Sequence, residues 1–477
     1  MRKKLPAAAA ALCLFFAVSC LEPTGPLSFL PGSLPEGLTV TVLPLVREYS
    51  RHQPFDAAGI EIMLNDNGWV RSVTGGVTYR WNGSPLIPGD TSISSQLGTR
   101  IIGVNYSYGG RTFETDFQID VMQNRFVVET ARDWEDALVY IAGDLADRNY
   151  VITVKGNVTV NGASSPSFSG RGGIDVTLRA YRGESAGIFL DPVTGSGPIL
   201  IIGGTQTLII DGDGLSIGGK AGNDSALIAV SGVARLEMRG GIITGNTNTD
   251  GNGGGVSVNA GRFLMSGGQV SGNTALFGGG VYLENGSSFE MSGSSWVSGN
   301  VATGKEKDID GFANGGGGVN LTASHFVMSG KSRISGNVTG NGGGGIVARN
   351  GSTVMMLDGS SIDGNISRNE GGGIRIGSQD TDVVFTMKGG SISGNDGSFG
   401  GGVYVFSGGI IRIVDGIIYG VNAPGDLANT AGTGAALRAL YGNAGHGTLD
   451  SGGVFLLNAN FAETVDDTIR AVNGVLK

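Results

Sequence analysis

Two kinds of side chain in this 477-residue chain could do chemistry by type and spacing: acids at matching places in repeated blocks, and a cysteine closing an apolar leader. Glu237 and Glu290 hold the same place in "LEMRGG" and "FEMSGS". Paired carboxylates can act as acid and base, or as nucleophile, in glycoside hydrolysis. Asp308 and Asp310, in "KEKDIDGFANGGGG", match the opening of a calcium loop, but the later glutamate of that signature is missing. They are the candidate loop contact, and calcium is the one metal they would suit. "DGDG" (211–214) and "QDTD" (379–382) are turn-like. His52, His325 and His446 are far apart, so neither a zinc set nor a Ser-His pair is indicated. No GxGxxG opens a helix, so the glycines do not cradle phosphate. No catalytic residue and no cofactor are expected.

The only cysteines are Cys13 and Cys20. "MRKKLPAAAAALCLFFAVSC" has a basic start, an apolar run from Leu5 to Val18 and small residues before Cys20. That is the layout of a secretory signal peptide, and the run is too short to span a bilayer as a helix. "AVSC" resembles a bacterial lipobox with Ala17 in place of the usual Leu. The resemblance implies that residues 1–20 are a lipoprotein signal, that Cys20 is the lipidation site, and that the protein is exported and anchored to the bacterial cell envelope. Ordinary signal cleavage, with Cys20 incidental, is the alternative. Residues 21–37 are rich in Pro and Gly and read as a tether.

The elements that must position these residues follow from glycine. It supplies 88 of the residues, far above the usual ~7%. It does not recur every third residue, so collagen is excluded. Blocks such as "FLMSGGQVSGN" and "FVMSGKSRISGN" end in Asn246, Asn273, Asn300, Asn337, Asn365 and Asn395. Their spacings are 27, 27, 37, 28 and 30. Between them stand "GGGVSV", "GGGVYL", "GGGGVNL" and their kin. Each repeat holds three short apolar runs, none able to stand alone. Stacked as successive coils they predict three parallel sheets around one interior, with glycines at corners and an asparagine ladder. About ten coils, spaced about 4.8 Å apart, would make a rod of about 50 Å.

In this register Glu237 and Glu290 lie two coils apart, about 9.6 Å, with Leu264 between them. The column Asn259, Glu284, Thr322, Arg349, Gly377 brings no two acids together. The column Thr244, Ser271, Ser298, Ser335, Asp363, Ser393 is a hydroxyl stripe that could meet sugars, with turn hydrogen bonding the cheaper explanation.

Residues 38–122 change pattern to short β-branched and aromatic runs, which predict a β-sandwich. "REYSRHQPFDAAGIEI" and "GTRIIGVNYSYGGRTFETDFQIDV" resemble a bacterial Ig-like module whose closing hairpin turns at Gly109-Gly110. The resemblance implies a spacer or adhesive role. In residues 123–150, Trp134, Leu138, Ile141 and Leu145 form one stripe on a charged helix, suited to cap the first coil. The β-helix is assigned to 151–420 and a C-terminal cap with last strands to 421–477.

The fold class read here is all-β: a right-handed parallel β-helix preceded by a small Ig-like β-sandwich. The repeat resembles the pectate-lyase-like superfamily, and more closely its glycine-rich surface lipoproteins and polymorphic outer-membrane adhesins. That resemblance implies a lipid-anchored, non-catalytic protein for binding or adhesion, with a glycan or a host or cell-surface protein as partner. The alternative is a polysaccharide lyase or hydrolase on the same fold. Net charge of −9 with no basic run argues against nucleic acid.

Overall fold

The computed structural model describes residues 34–44, 48–50, 55–90, 92–94, 98–122, 124–144, 148–304, 315–378, 381–434, 437–439, 448–449, 455–458, 463–465, 469–472 and 475–476. Cys20, Leu145, Asp308, Asp310, His52 and His446 lie outside them. The chain divides into two compact units between Arg125 and Phe126.

The first unit is built of short strands: β1 (Gly37–Val42), β2 (Glu48–Ser50), β3 (Glu61–Asp66), β4 (Trp69–Ser72), β5 (Val77–Trp81), β6 (Ser84–Leu86), β7 (Gly98–Tyr108) and β8 (Arg111–Met122). They form two sheets, ordered β1-β3-β4 and β2-β8-β7-β5-β6. All pairings are antiparallel except β2 with β8. Alternation does the work: Ile102 and Val104 in β7, and Phe117, Ile119 and Val121 in β8, face one core with Leu64 and Phe55. The β7–β8 hairpin closes through Gly109 and Gly110, both at positive φ.

The second unit opens with β9 (Arg125–Val128) and helix α1 (Ala131–Gly143). Thr130 and Asp133 form a reciprocal capping box that fixes where α1 starts. Trp134, Ala137 and Ile141 are buried, with Leu138 partly buried, in the same core as the first coil strand Asn149–Val154. From there the chain winds into a right-handed parallel β-helix of about ten turns. One coil shows the plan. Val256–Asn259 makes face one, Arg262–Met265 face two and Gln269–Ser271 face three; the chain turns at Asn273, and Thr274–Ala275 makes face four.

Four strands per coil, not three, is the departure from the expected plan. The fourth is only two residues long in the first three coils that carry it, too short to leave an apolar run. Face one is a ten-stranded sheet and face four a six-stranded one. Near the end, Val383–Ser393 and Gly409–Ile418 run unbroken through faces two and three. Parallel pairing extends past residue 420, to Thr430–Thr433 and Leu437–Ala439. Antiparallel strands Phe455–Asn458, Glu463–Val465 and Ile469–Val472 then pair onto the last coil.

Like stacks on like inside. Phe263, Phe289 and Phe326 pair in register, with ring centroids 4.6 and 5.0 Å apart. Met238, Met265, Met291, Met328, Met356 and Met387 form a second buried column. Two glycine columns have different causes. Gly279 has ordinary φ, but a Cβ there would lie 2.4 Å from the Val301 carbonyl and 2.6 Å from that of Gly317. Gly272 would meet only an ordinary contact, Thr244 Oγ1 at 3.5 Å, but has a φ of 63°, a left-handed turn that side chains resist.

Candidate binding faces of the coil

The asparagine corner is the most completely bonded part of the coil. Asn246, Asn273, Asn300, Asn337, Asn365 and Asn395 are fully buried. The side-chain Oδ1 of Asn300 accepts from the backbone N–H and the Nδ2 of Asn273, at 3.0 and 3.2 Å. Its own Nδ2 donates to Val270 O at 3.0 Å and to Asn337 Oδ1 at 2.9 Å. The same pattern continues through Asn365 and Asn395 to Asn429. Asn223 joins at the other end, donating to Asn246 Oδ1 at 3.0 Å. Asn223 was missed because its spacing of 23 falls outside the 27 to 37 of the repeat, and Asn429 because it lacks the preceding glycine. Every amide group is spent within the coil, so this column is a spine and offers nothing to a ligand.

On face two, strand pairing places Leu264 directly between Glu237 and Glu290. Both acids line a cavity of about 260 Å³ with Arg235, Arg239 and Val327. Glu237 has both oxygens occupied: Arg235 reaches Oε1 and Arg239 reaches Oε2, each at 2.7 Å. Glu290 is half exposed, with Arg262 3.7 Å away. A shared substrate oxygen or metal would need two free carboxylates side by side, and the register separates them by an apolar side chain. His325 stands exposed, its Nδ1 2.8 Å from Thr353 Oγ1. No group of three His, Cys, Asp or Glu side chains among the described residues gathers in metal-binding geometry.

Face one ends in the polar column of Asn259, Glu284, Thr322 and Arg349. These residues bond along the axis: Asn259 Nδ2 donates to Glu284 Oε1 at 2.8 Å, and Arg349 Nε donates to Thr322 Oγ1 at 2.9 Å. In "DGDG", Gly212 turns at φ 92° between two strands. In "QDTD", Gln379 and Asp380 lie outside the described residues.

The hydroxyl stripe is not in a turn. Thr244, Ser271, Ser298, Ser335 and Asp363 are third residues of the short face-three strands, with register Thr244–Ser271–Ser298–Ser335–Asp363. The middle residue of each strand, such as Val270, Val297 or Ile334, is fully buried. Alternation therefore turns the first and third residues outward. Turn hydrogen bonding does not account for the stripe: among the described residues no protein group bonds the hydroxyls of Ser271 and Ser335, and that of Ser298 accepts from Gln269 Nε2 at 2.7 Å.

No protein-family model, no curated protein and no solved structure matches this chain. No helix among the described residues is long and apolar enough to cross a membrane.

Proposed function

We propose that this is a bacterial surface lipoprotein, held to the envelope by lipid on Cys20, whose β-helix is a non-catalytic binding rod. In this reading the first unit is an Ig-like spacer, and the coil belongs with glycine-rich adhesins of the pectate-lyase-like superfamily. The observation that carries the non-catalytic reading is the state of Glu237. Both of its oxygens are engaged by guanidinium groups, and Leu264 parts it from Glu290. The leader ending in "AVSC", and the absence of any later cysteine, support the anchor.

The enzyme reading retains one favourable observation: the face-two cavity contains both glutamates. Incubation with polygalacturonate, alginate and chondroitin, with and without calcium, separates the two. No release of unsaturated or reducing ends is expected. Turnover abolished by Glu290→Ala or Asp308→Ala would establish a lyase or hydrolase instead.

A further inference from the structure

We infer that face three binds an uncharged, linear polysaccharide lying along the coil axis, with Trp296 as its stacking platform. The inference rests on the reading of the coil as a binding scaffold and names the ligand class and the face.

Trp296 is the first residue of its strand, so it projects outward, and it is 43% exposed while its neighbour Val297 is fully buried. Nothing in the coil needs an indole there. The same place holds Gln269 on the coil before and Arg333 on the coil after. The Arg333 guanidinium carbon lies 5.9 Å from the indole centroid, so a planar apolar ring is bordered by donors at coil spacing, about 4.8 Å. Beside this column runs the hydroxyl stripe. An extended β-linked chain advances by nearly the same distance per pyranose unit. Successive sugars would meet equivalent groups on successive coils, one with its C–H face on Trp296 and the rest on hydroxyl and amide partners.

Charge decides between sugar classes. From Ile242 to Asp363, the outward positions of five strands hold one cation and one anion, Arg333 and Asp363. They neutralise each other: Arg333 Nε donates to Asp363 Oδ2 at 2.7 Å, and its Nη2 reaches Oδ1. The strip is therefore neutral on a protein of net charge −9. An acidic polymer would find no free cation there and would meet overall repulsion. The complement of a neutral, hydroxyl-rich strip with one flat apolar platform is a neutral glycan. Face two differs in kind: Arg235, Arg239 and Arg262 with Glu237 and Glu290 crowd its surface with charge, and no exposed aromatic platform stands among them.

Affinity electrophoresis and calorimetry on the full chain test this, using hydroxyethylcellulose, xylan and galactomannan as neutral probes and polygalacturonate and alginate as acidic ones. At least one neutral polymer should retard the protein and neither acidic one should. Trp296→Ala should weaken that binding about tenfold or more. Ser298→Arg, an outward change that leaves the interior intact, should do the same, and Glu290→Gln should change nothing. No retardation by any neutral polymer overturns the inference. So does preference for an acidic one, or binding that ignores Trp296→Ala and Ser298→Arg, or binding that follows Glu290. Polysaccharide turnover would overturn the non-catalytic reading while leaving this test intact.

Discussion

Asn300 shows how a single polar side chain can be fixed by its neighbours on two coils. Its oxygen accepts from Asn273 and its Nδ2 donates to Val270 O and Asn337. Leucine is close in size but would leave the Asn273 N–H and the Asn273 Nδ2 without their Asn300 acceptor in a buried corner. Such groups cost about 1–3 kcal/mol each. Asn300→Leu is expected to lower the unfolding free energy by at least that much, read as a lower denaturant midpoint; an unchanged midpoint would contradict the bonding seen at this corner. Glycine gives a second test at this scale. Gly279→Ala drives a Cβ to 2.4 Å from a backbone carbonyl that no rotamer can move, so it should cost about 3 kcal/mol. Gly272→Ala meets only an ordinary contact, Thr244 Oγ1 at 3.5 Å, and should cost about 1–2 kcal/mol, the usual penalty for left-handed backbone. Equal losses would mean that close approach of the coils is not what selects glycine.

At the scale of elements, the coil was legible because its constraints are local and repeated. "Phe-x-Met" sets strands whose Phe and Met both point inward, and these pair as the block alignment requires: Phe263 with Phe289, Met265 with Met291. The fourth strand was not legible because Thr274–Ala275 and Val301–Ala302 are two residues each, shorter than any alternation can register. Nor was the Trp296 column of face three, although the hydroxyl column beside it was. Gln269, Trp296 and Arg333 share a column but no chemistry, so nothing in their residue types marks them as neighbours. The two glutamates were visible as a pair, yet Arg235 and Arg239, which occupy both oxygens of Glu237, became partners only when strand and turn geometry were fixed. Helix α1 makes a testable element. Its Trp134, Ala137 and Ile141 cover the first coil, whose strand Asn149–Val154 has Tyr150, Ile152 and Val154 buried. Uncovered parallel strands invite further strand addition. Trp134→Asp is expected to raise concentration-dependent aggregation, read by light scattering, while Asp136→Ala on the solvent side leaves it unchanged.

At the scale of the whole molecule, two cores share no residue: one holds Leu64, Ile102 and Phe117, the other runs from Val128 to Leu437. Separate cores imply separate unfolding. In a stacked coil each turn contacts its neighbours, so stability is close to a sum of nearest-neighbour terms and a defect in the middle weakens the coils on both sides. Phe289 is fully buried and stacks on Phe263 and Phe326, so Phe289→Ala removes contacts from three coils at once. It should cost about 3–5 kcal/mol. Ile102→Ala, in the first unit, should cost about 2–5 kcal/mol. Calorimetry of the full chain is expected to show two transitions. Phe289→Ala should lower only the larger, which belongs to the coil, and Ile102→Ala only the smaller. The proposed lipid anchor has its own test: Cys20→Ala should move the protein from the detergent phase to the aqueous phase in Triton X-114 partition and leave both transitions where they were. A single transition shifted by both core substitutions would mean that the two units unfold as one, and a Cys20→Ala protein that stays in detergent would remove the anchor.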